Sequence, residues 1–448
     1  MTMDTTRTHL PHQHGAHATI LSLPDELLFP ILKLSVSSSK HGYWPMETYD
    51  TVSLLSLAIA CKRFHSMMIP LLYHTLFLDS SVWNLKSSLS SWRIRAIYQN
   101  IQKDPSLGYH CAKLRINISD FPHSPRISSA DFAFGEGMVE RLVNVKDLSL
   151  SGGFSLNRRY GSWKVLQHAL LHMPTLERLS LVPYHVHGLQ VQRLMSYVRA
   201  PSLKKLLVRK LSDCHPVGDN LEYIVPASFS ELSIHDHKES IEAVASLLDW
   251  PLKLTSVSLI FEHRYKHYVD LPKCRSMLLK HRETLASLEL LRLSLSARGT
   301  PCNLSDFSAL KSLSLSSCMM AEDLEPEDGF SEMIISIPKI ATFTWNLTKS
   351  DRSRDFGERD FGEIEERWLR RLAKLALAKK SKLCKIYIDY SVRELWDKDV
   401  EYPWDRMSRL KAEFEPSGIE ITWSKSRVSR QTWKEWIESS DEGRLFWV

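Results

Sequence analysis

The sequence predicts an α/β fold: a solenoid with parallel strands on its concave face and helices outside, preceded by a small helical domain. Three observations predict it. A short unit, apolar-x-x-apolar-x-apolar, recurs ten times between residues 111 and 388, at steps of about 25 to 34 residues with one of about 43 before the last copy. Stretches of helical period separate the copies. Ahead of them, residues 19–80 carry leucines at helical spacing between polar insertions. The organisation expected is a disordered tail at 1–18, a helical domain at 19–80, the solenoid at 81–425 and a C-terminal cap at 426–448.

Residues 1–18 are polar and hold His9, His12, His14 and His17, which suits a solvated tail better than a metal site. In the helical domain, Ser22 reads as an N-cap and Pro24 as a first-turn residue, where a missing N–H costs nothing. Asp25 and Glu26 meet the positive end of the helix dipole. Leu27, Leu28, Ile31 and Leu32 follow at helical spacing, and Pro30 is expected to kink or shorten this helix. Leu54, Leu57 and Cys61 make a second apolar stripe. Helices this short must pack on each other, so the polar insertion at 35–51 has to loop out without parting them. Residues 73–78 are expected to form a strand leading into the array.

The copies begin at Cys111, Val145, Leu176, Leu203, Phe229, Leu254, Leu285, Leu310, Ile340 and Leu383. Pro174, Pro201, Pro251 and Pro338 precede four of them, as if a loop ends and a strand begins. Helices are expected at 163–172, 189–198, 240–249 and 273–281. Neither a lone strand nor a lone helix can bury its apolar face, so the units must stack. The competing reading is chance leucine spacing in an ordinary α/β protein. Residues 119–131 and 321–330 read as loops. So do 351–363, where Arg-Asp-Phe-Gly-Glu is duplicated without the other motifs of a kinase. Residues 363–385 read as one helix, with Trp368, Leu369, Leu372, Leu375 and Leu383 on its apolar side and seven Arg or Lys opposite. The tryptophan-rich end, with a strand at 419–423 and a helix at 431–439, reads as the cap that an array's open end requires, with an aromatic ligand patch as the alternative.

Composition narrows the function classes. With 448 residues, 43% hydrophobic and 25% charged, the chain is of globular type. A net charge of +6 over that length does not by itself argue for nucleic acid. No apolar run approaches the roughly 20 residues of a membrane span. The seven cysteines are scattered and include no Cys-x-x-Cys pair, so free thiols are expected. With no secretory leader visible, the expected location is cytoplasmic and/or nuclear. No Gly-x-Ser-x-Gly, Walker loop, Gly-x-Gly-x-x-Gly or His-Glu-x-x-His occurs. The reading is therefore non-catalytic, with no cofactor and no metal. His185 with His187, and His235 with Asp236 and His237, read as solvated loop residues.

Leu-Pro-Asp-Glu-Leu-Leu at 23–28, Leu-Leu-Ser-Leu-Ala-Ile-Ala-Cys-Lys-Arg-Phe at 54–64 and Pro-Leu-Leu-Tyr-His-Thr-Leu at 70–76 together resemble an F-box of the type common in fungal F-box proteins. The copy Leu310-Lys-Ser-Leu-Ser-Leu-Ser-Ser-Cys318 resembles a leucine-rich repeat through its terminal Cys. The chain thus looks like an F-box protein with leucine-rich repeats. That resemblance implies an adaptor role. The F-box would bind a Skp-type adaptor in a cullin ubiquitin ligase, and the repeats would hold a protein substrate. It carries the adaptor-facing or supporting role onto Leu23, Pro24, Leu27, Leu28, Ile31, Leu54, Leu57 and Phe64.

Along each copy, residues between the leucines face the concave side by the period of two. The substrate strip expected there includes Arg115, Arg178, Lys205, Arg209, His235, Ser258, Glu289, Ser314, Thr344 and Tyr387. It is weakly basic in its first half and small and hydroxylated in its middle. Such a wall suits an extended protein segment better than a small molecule. The alternative function is a leucine-rich-repeat scaffold not engaged with a ligase, its N-terminal helices only capping the array. A third class is nucleic-acid binding through the basic stretch 370–382, although neither nucleic acid nor membrane is an expected partner.

Overall fold

Pro24, not Ser22, sits at the mouth of the first helix. Its carbonyl accepts the N–H groups of Leu27 and Leu28 at 3.1 and 2.9 Å, and α1 runs over Asp25–Val36. Ser22 belongs to a preceding 3-10 turn, Ile20–Ser22. The helix continues through Pro30, which lies on its exposed side, where water can replace a lost helical bond. The computed structural model describes residues 20–38, 48–49, 51–79, 89–118, 137–154, 161–184, 188–212, 225–237, 241–261, 270–291, 301–316, 328–347, 361–390, 401–425 and 428–440. The tail at 1–18 lies outside them.

Two more helices complete the first unit: α2, Thr51–Ala60, and α3, Lys62–His74. Cys61 caps α3, its Sγ accepting the Phe64 N–H at 3.4 Å. Leu28, Leu32 and Val36 of α1 bury with Leu54 and Ala58 of α2 and with Phe64, Met67, Met68 and Leu71 of α3. The insertion does not part the helices, because Ser37–Ser38 pairs antiparallel with Thr48–Tyr49 and closes it locally. The chain divides into compact units Met1–Thr75 and Leu76–Val448. This division falls inside a strand rather than at the 80/81 boundary read from the sequence.

That strand is β1, Thr75–Asp79, the first of a 12-stranded sheet whose order follows the chain. After α4, Leu89–Lys103, come β2 (Lys113–Ile118) and β3 (Asp147–Gly152). Next are α5 (Ser162–His172), β4 (Arg178–Val182), α6 (Val191–Tyr197), β5 (Lys205–Arg209) and β6 (Glu231–His237). They lead to α7 (Ile241–Asp249), β7 (Ser256–Phe261), α8 (Leu271–Leu278), β8 (Ser287–Leu291) and β9 (Ser312–Ser316). The chain closes with α9 (Asp328–Ser336), β10 (Thr342–Asn346), α10 (Glu363–Ala378), β11 (Lys385–Asp389), α11 (Pro403–Phe414), β12 (Glu420–Trp423) and α12 (Arg430–Ser440).

From β2 to β12 every pairing is parallel, and the register puts one residue type at one height. Leu114, Leu148, Leu179, Leu206, Leu232, Val257, Leu288, Leu313, Phe343, Ile386 and Ile421 pair rung to rung. The ten copies of the sequence unit are therefore ten successive strands. Their opening residues, Cys111 through Leu383, are buried too. Polar closure repeats with the same period. The Ala112 carbonyl accepts the N–H groups of both Lys146 and Asp147, and Lys146, Glu177, Lys204 and Ser230 each do the same for the next copy. The carbonyls of Val145, Leu176, Leu203 and Leu254 accept hydroxyls from Thr175, Ser202, Ser228 and Thr284 of the following copy. Paired in this way, the turns stack without stranding buried polar groups. At the end of β3, Gly152 has φ +68°, and a Cβ there would lie 2.0 Å from the Ile118 carbonyl oxygen, so only glycine fits.

The helices cover the leucine face. Trp368 of α10 meets Phe343 and Trp345 of β10 at centroid distances of 5.9 and 4.7 Å. Four of the expected helices are present with shifted ends, and the span 189–198 opens with a short strand, Leu189–Gln190, that pairs with Leu211–Ser212. The helix expected at 363–385 stops at Ala378, because Lys380 turns at φ +51° and Leu383 already belongs to the next strand's buried set. Phe330, expected in a loop, is buried in α9. The loop readings at 119–131 and 351–360 lie outside the described residues.

Candidate functional site

Two surfaces carry the residues singled out from sequence. On the helical unit, eight positions separate by burial. Leu28, Leu54 and Phe64 are core, and Leu23 and Leu57 pack half-buried against it. Pro24, Leu27 and Ile31 are exposed. Leu34, 75% exposed, extends the Leu27–Ile31 stripe along α1, and α2 shows Val52, Leu55 and Ile59, the last 83% exposed. Sequence reasoning missed these four. The signal was available, since α1 and α2 each carry more aliphatics than one buried stripe can use.

On the sheet, the face opposite the helices carries three rows. The lowest is charged and paired across neighbouring strands: Arg178 with Asp147 at 3.1 Å, Lys205 with Glu231 at 3.4 Å, Lys385 with Glu420 at 3.1 Å. The middle row runs Arg115, Ser149, Ser180, Leu207, Ser233, Ser258, Glu289, Ser314, Thr344, Tyr387 and Thr422 in register. The upper row includes Arg209 opposite His235, then Ser316, Asn346 and Asp389. All ten positions of the expected strip thus lie on this face. His235 and His237 lie within β6 rather than in a loop, at an irregularity in its pairing with β7. His185 and His187 fall outside the described residues.

The two ends of this face differ electrically. At the β2–β6 end, Arg115 is half-buried, and desolvation lowers its pKa despite the charge of Asp147. At the β8–β11 end, burial raises the Asp389 carboxyl above the ordinary range, and Glu289 adds to the shift. Asn346 Nδ2 donates to Asp389 at 2.8 Å, and the Ser258 hydroxyl donates to Glu289. Tyr387 is shifted up by burial and by Asp389. Ser314, expected as a presented contact, is only 8% exposed, and its Oγ and Thr422 Oγ1 have no hydrogen-bond partner among the described residues. Ser314 lies beside Glu289 on the neighbouring strand, and Thr422 lies beside Tyr387 on the last one.

No protein-family model matches this chain, and a search of curated proteins finds no match. The basic face of α10 is engaged in ion pairs: Arg367 with Glu363 at 2.8 Å, Arg370 with Glu366 at 2.8 Å and with Glu413 at 2.7 Å, and Lys379 with Glu332. Two tryptophans of the C-terminal end are packing residues, and Trp423 is half-buried. Trp404 and Trp433 are buried around Tyr402, with centroid distances of 4.9 and 5.9 Å. One group of metal-ligand type brings together Glu140, His168 and His172, none of them singled out from sequence. The visible signal was His168 and His172 at i and i+4 on a helix.

Proposed function

We propose that this chain is a non-catalytic substrate receptor of a cullin-type ubiquitin ligase. Its F-box-like helical unit docks a Skp-type adaptor, and its leucine-rich-repeat-like sheet face holds the protein substrate. One observation carries the first half: Leu27, Ile31 and Leu34 on α1 and Val52, Leu55 and Ile59 on α2 are exposed although the unit already owns a core of nine buried residues. Aliphatic stripes left over after a core is filled mark an interaction surface. The open sheet face supports the second half, because it offers an extended groundwork of small and charged side chains rather than a deep pocket. Catalysis in this reading is proximity lent to another subunit's chemistry.

The test is affinity capture of the full chain from cells, with Leu27→Glu/Ile31→Glu beside the native protein. Both positions are exposed, so the variant keeps its fold, which circular dichroism verifies. Capture of adaptor and cullin by the native chain and its loss in the variant is the expected outcome. A native chain that recovers neither, or a variant that recovers both undiminished, rejects the reading in favour of a scaffold outside any ligase.

A further inference from the structure

The helical turn ahead of β3 and the helix after β3 bring a carboxylate and two imidazoles to one place. Ligand atoms of Glu140, His168 and His172 all lie within 4.8 Å of one another. The two rings stack with centroids 6.1 Å apart and planes 26° from parallel, as residues i and i+4 on one helix face do. Glu140 is exposed and both histidines are partly so, leaving the group open to ions from solvent. His172 ends α5, where the helix dipole is negative and favours a cation.

We propose that Glu140, His168 and His172 form a binding site for one zinc ion. Two imidazoles and one carboxylate are a recurrent zinc set, with Zn–N and Zn–O bonds of about 2.0–2.2 Å, and three protein ligands leave a fourth position for water. Tetrahedral closure brings ligand atoms to about 3.4 Å from one another, which rotation of the exposed Glu140 and the partly exposed histidines supplies. The residues between the histidines are Ala169, Leu170 and Leu171, so no carboxylate stands where a metal hydrolase keeps its general base. The ion is a clasp. It ties the turn ahead of β3 to the helix behind it, joining two successive steps of the array on the helix-bearing side.

The test uses the full chain, stripped with chelator, with His9, His12, His14 and His17 replaced by Asn so that the tail does not compete. Titration with zinc chloride by calorimetry is expected to show one equivalent binding. His168→Gln/His172→Gln should weaken it about 100-fold or more. Glu140→Gln, at an exposed position that cannot unfold the chain, should weaken it about tenfold. Cobalt(II) loaded into the background protein is expected to give the intense visible bands of a four-coordinate site, and these vanish in the double variant. Binding unchanged in Glu140→Gln, or a pale six-coordinate cobalt spectrum, overturns the proposal.

Discussion

Arg63 Nε donates to Asp25 Oδ1 at 2.8 Å, bridging two stretches of sequence thirty-eight positions apart. The same guanidinium donates to the carbonyls of Leu21 and Leu23. One side chain from α3 therefore holds the approach to α1, where Leu23 packs against the helical core. The ion pair is exposed and worth little by itself, under about 1 kcal/mol. The carbonyl contacts give Arg63 its local grip.

Arg63→Ala should accordingly cost only about 1–2 kcal/mol of stability while speeding amide exchange at residues 21–28. Hydrogen exchange read by mass spectrometry checks this. Protection unchanged in that peptide would show that α1 starts without the clamp.

Glu366 is the opposite case. It is 6% exposed and receives Arg370 at 2.8 Å, Arg409 at 3.0 Å and Arg406 at 3.1 Å, so it joins α10 to α11. Burial opposes its charge, but the three guanidinium hydrogen bonds win and lower its pKa. Glu366→Gln leaves three cations without their shared anion and should cost about 3 kcal/mol in urea unfolding. A depressed carboxylate stabilises the fold above its unfolded value and stops doing so as pH falls. The native chain should therefore lose stability below about pH 4.5 more steeply than the variant.

His281 is 1% exposed. Its Nδ1 accepts the Leu254 N–H at 3.3 Å, and its Nε2 reaches the Leu248 carbonyl at 2.8 Å, which defines a neutral ring with the proton on Nε2. Desolvation lowers its pKa. The unfolded chain takes up a proton near pH 6.5 that the folded ring refuses, so stability falls as pH drops below that value. Thermal unfolding at pH 7.5 and 5.5 should show this loss in the native chain and a smaller one in His281→Asn.

Thiol reactivity should follow exposure. Burial raises Cys302 to about 11 and Cys111 to about 12, and raises Cys274 further. Cys384 is exposed and Cys61 partly so. Among these five, iodoacetamide at pH 8 should mark Cys384 first and spare Cys111, Cys274 and Cys302 until the chain unfolds, as peptide mapping will reveal.

The strand ladder was legible because its signal is strictly local. Each strand needs three apolar side chains at fixed offsets, and neighbours need the same three, so Leu310, Leu313 and Leu315 announce both a strand and its register. Helix ends were less legible. Leu383 continues the spacing of Leu369 and Leu372 well enough to pass as helix while it also opens the last copy, and the pairing of Ile386 with Phe343 decides for the copy. The burial of Ser314 was not legible, since a hydroxyl on the open face carries no mark of what lies near it. Exposed Leu34 and Ile59 were overlooked for the reverse reason: apolar residues in an apolar helix read as core until a core is seen to be complete without them.

The parallel register, continuous along the middle row, has a metrical consequence. Along the middle row the sheet offers one side chain every ~4.8 Å, the distance between strands, whereas an extended chain laid across it presents same-side residues every ~6.8 Å. The two rulers coincide about once per three strands, close to two ligand steps. A crossing segment would therefore be read at spaced anchor points such as Glu289 and Tyr387, three strands apart, with the hydroxylated rungs between them left as tolerant ground.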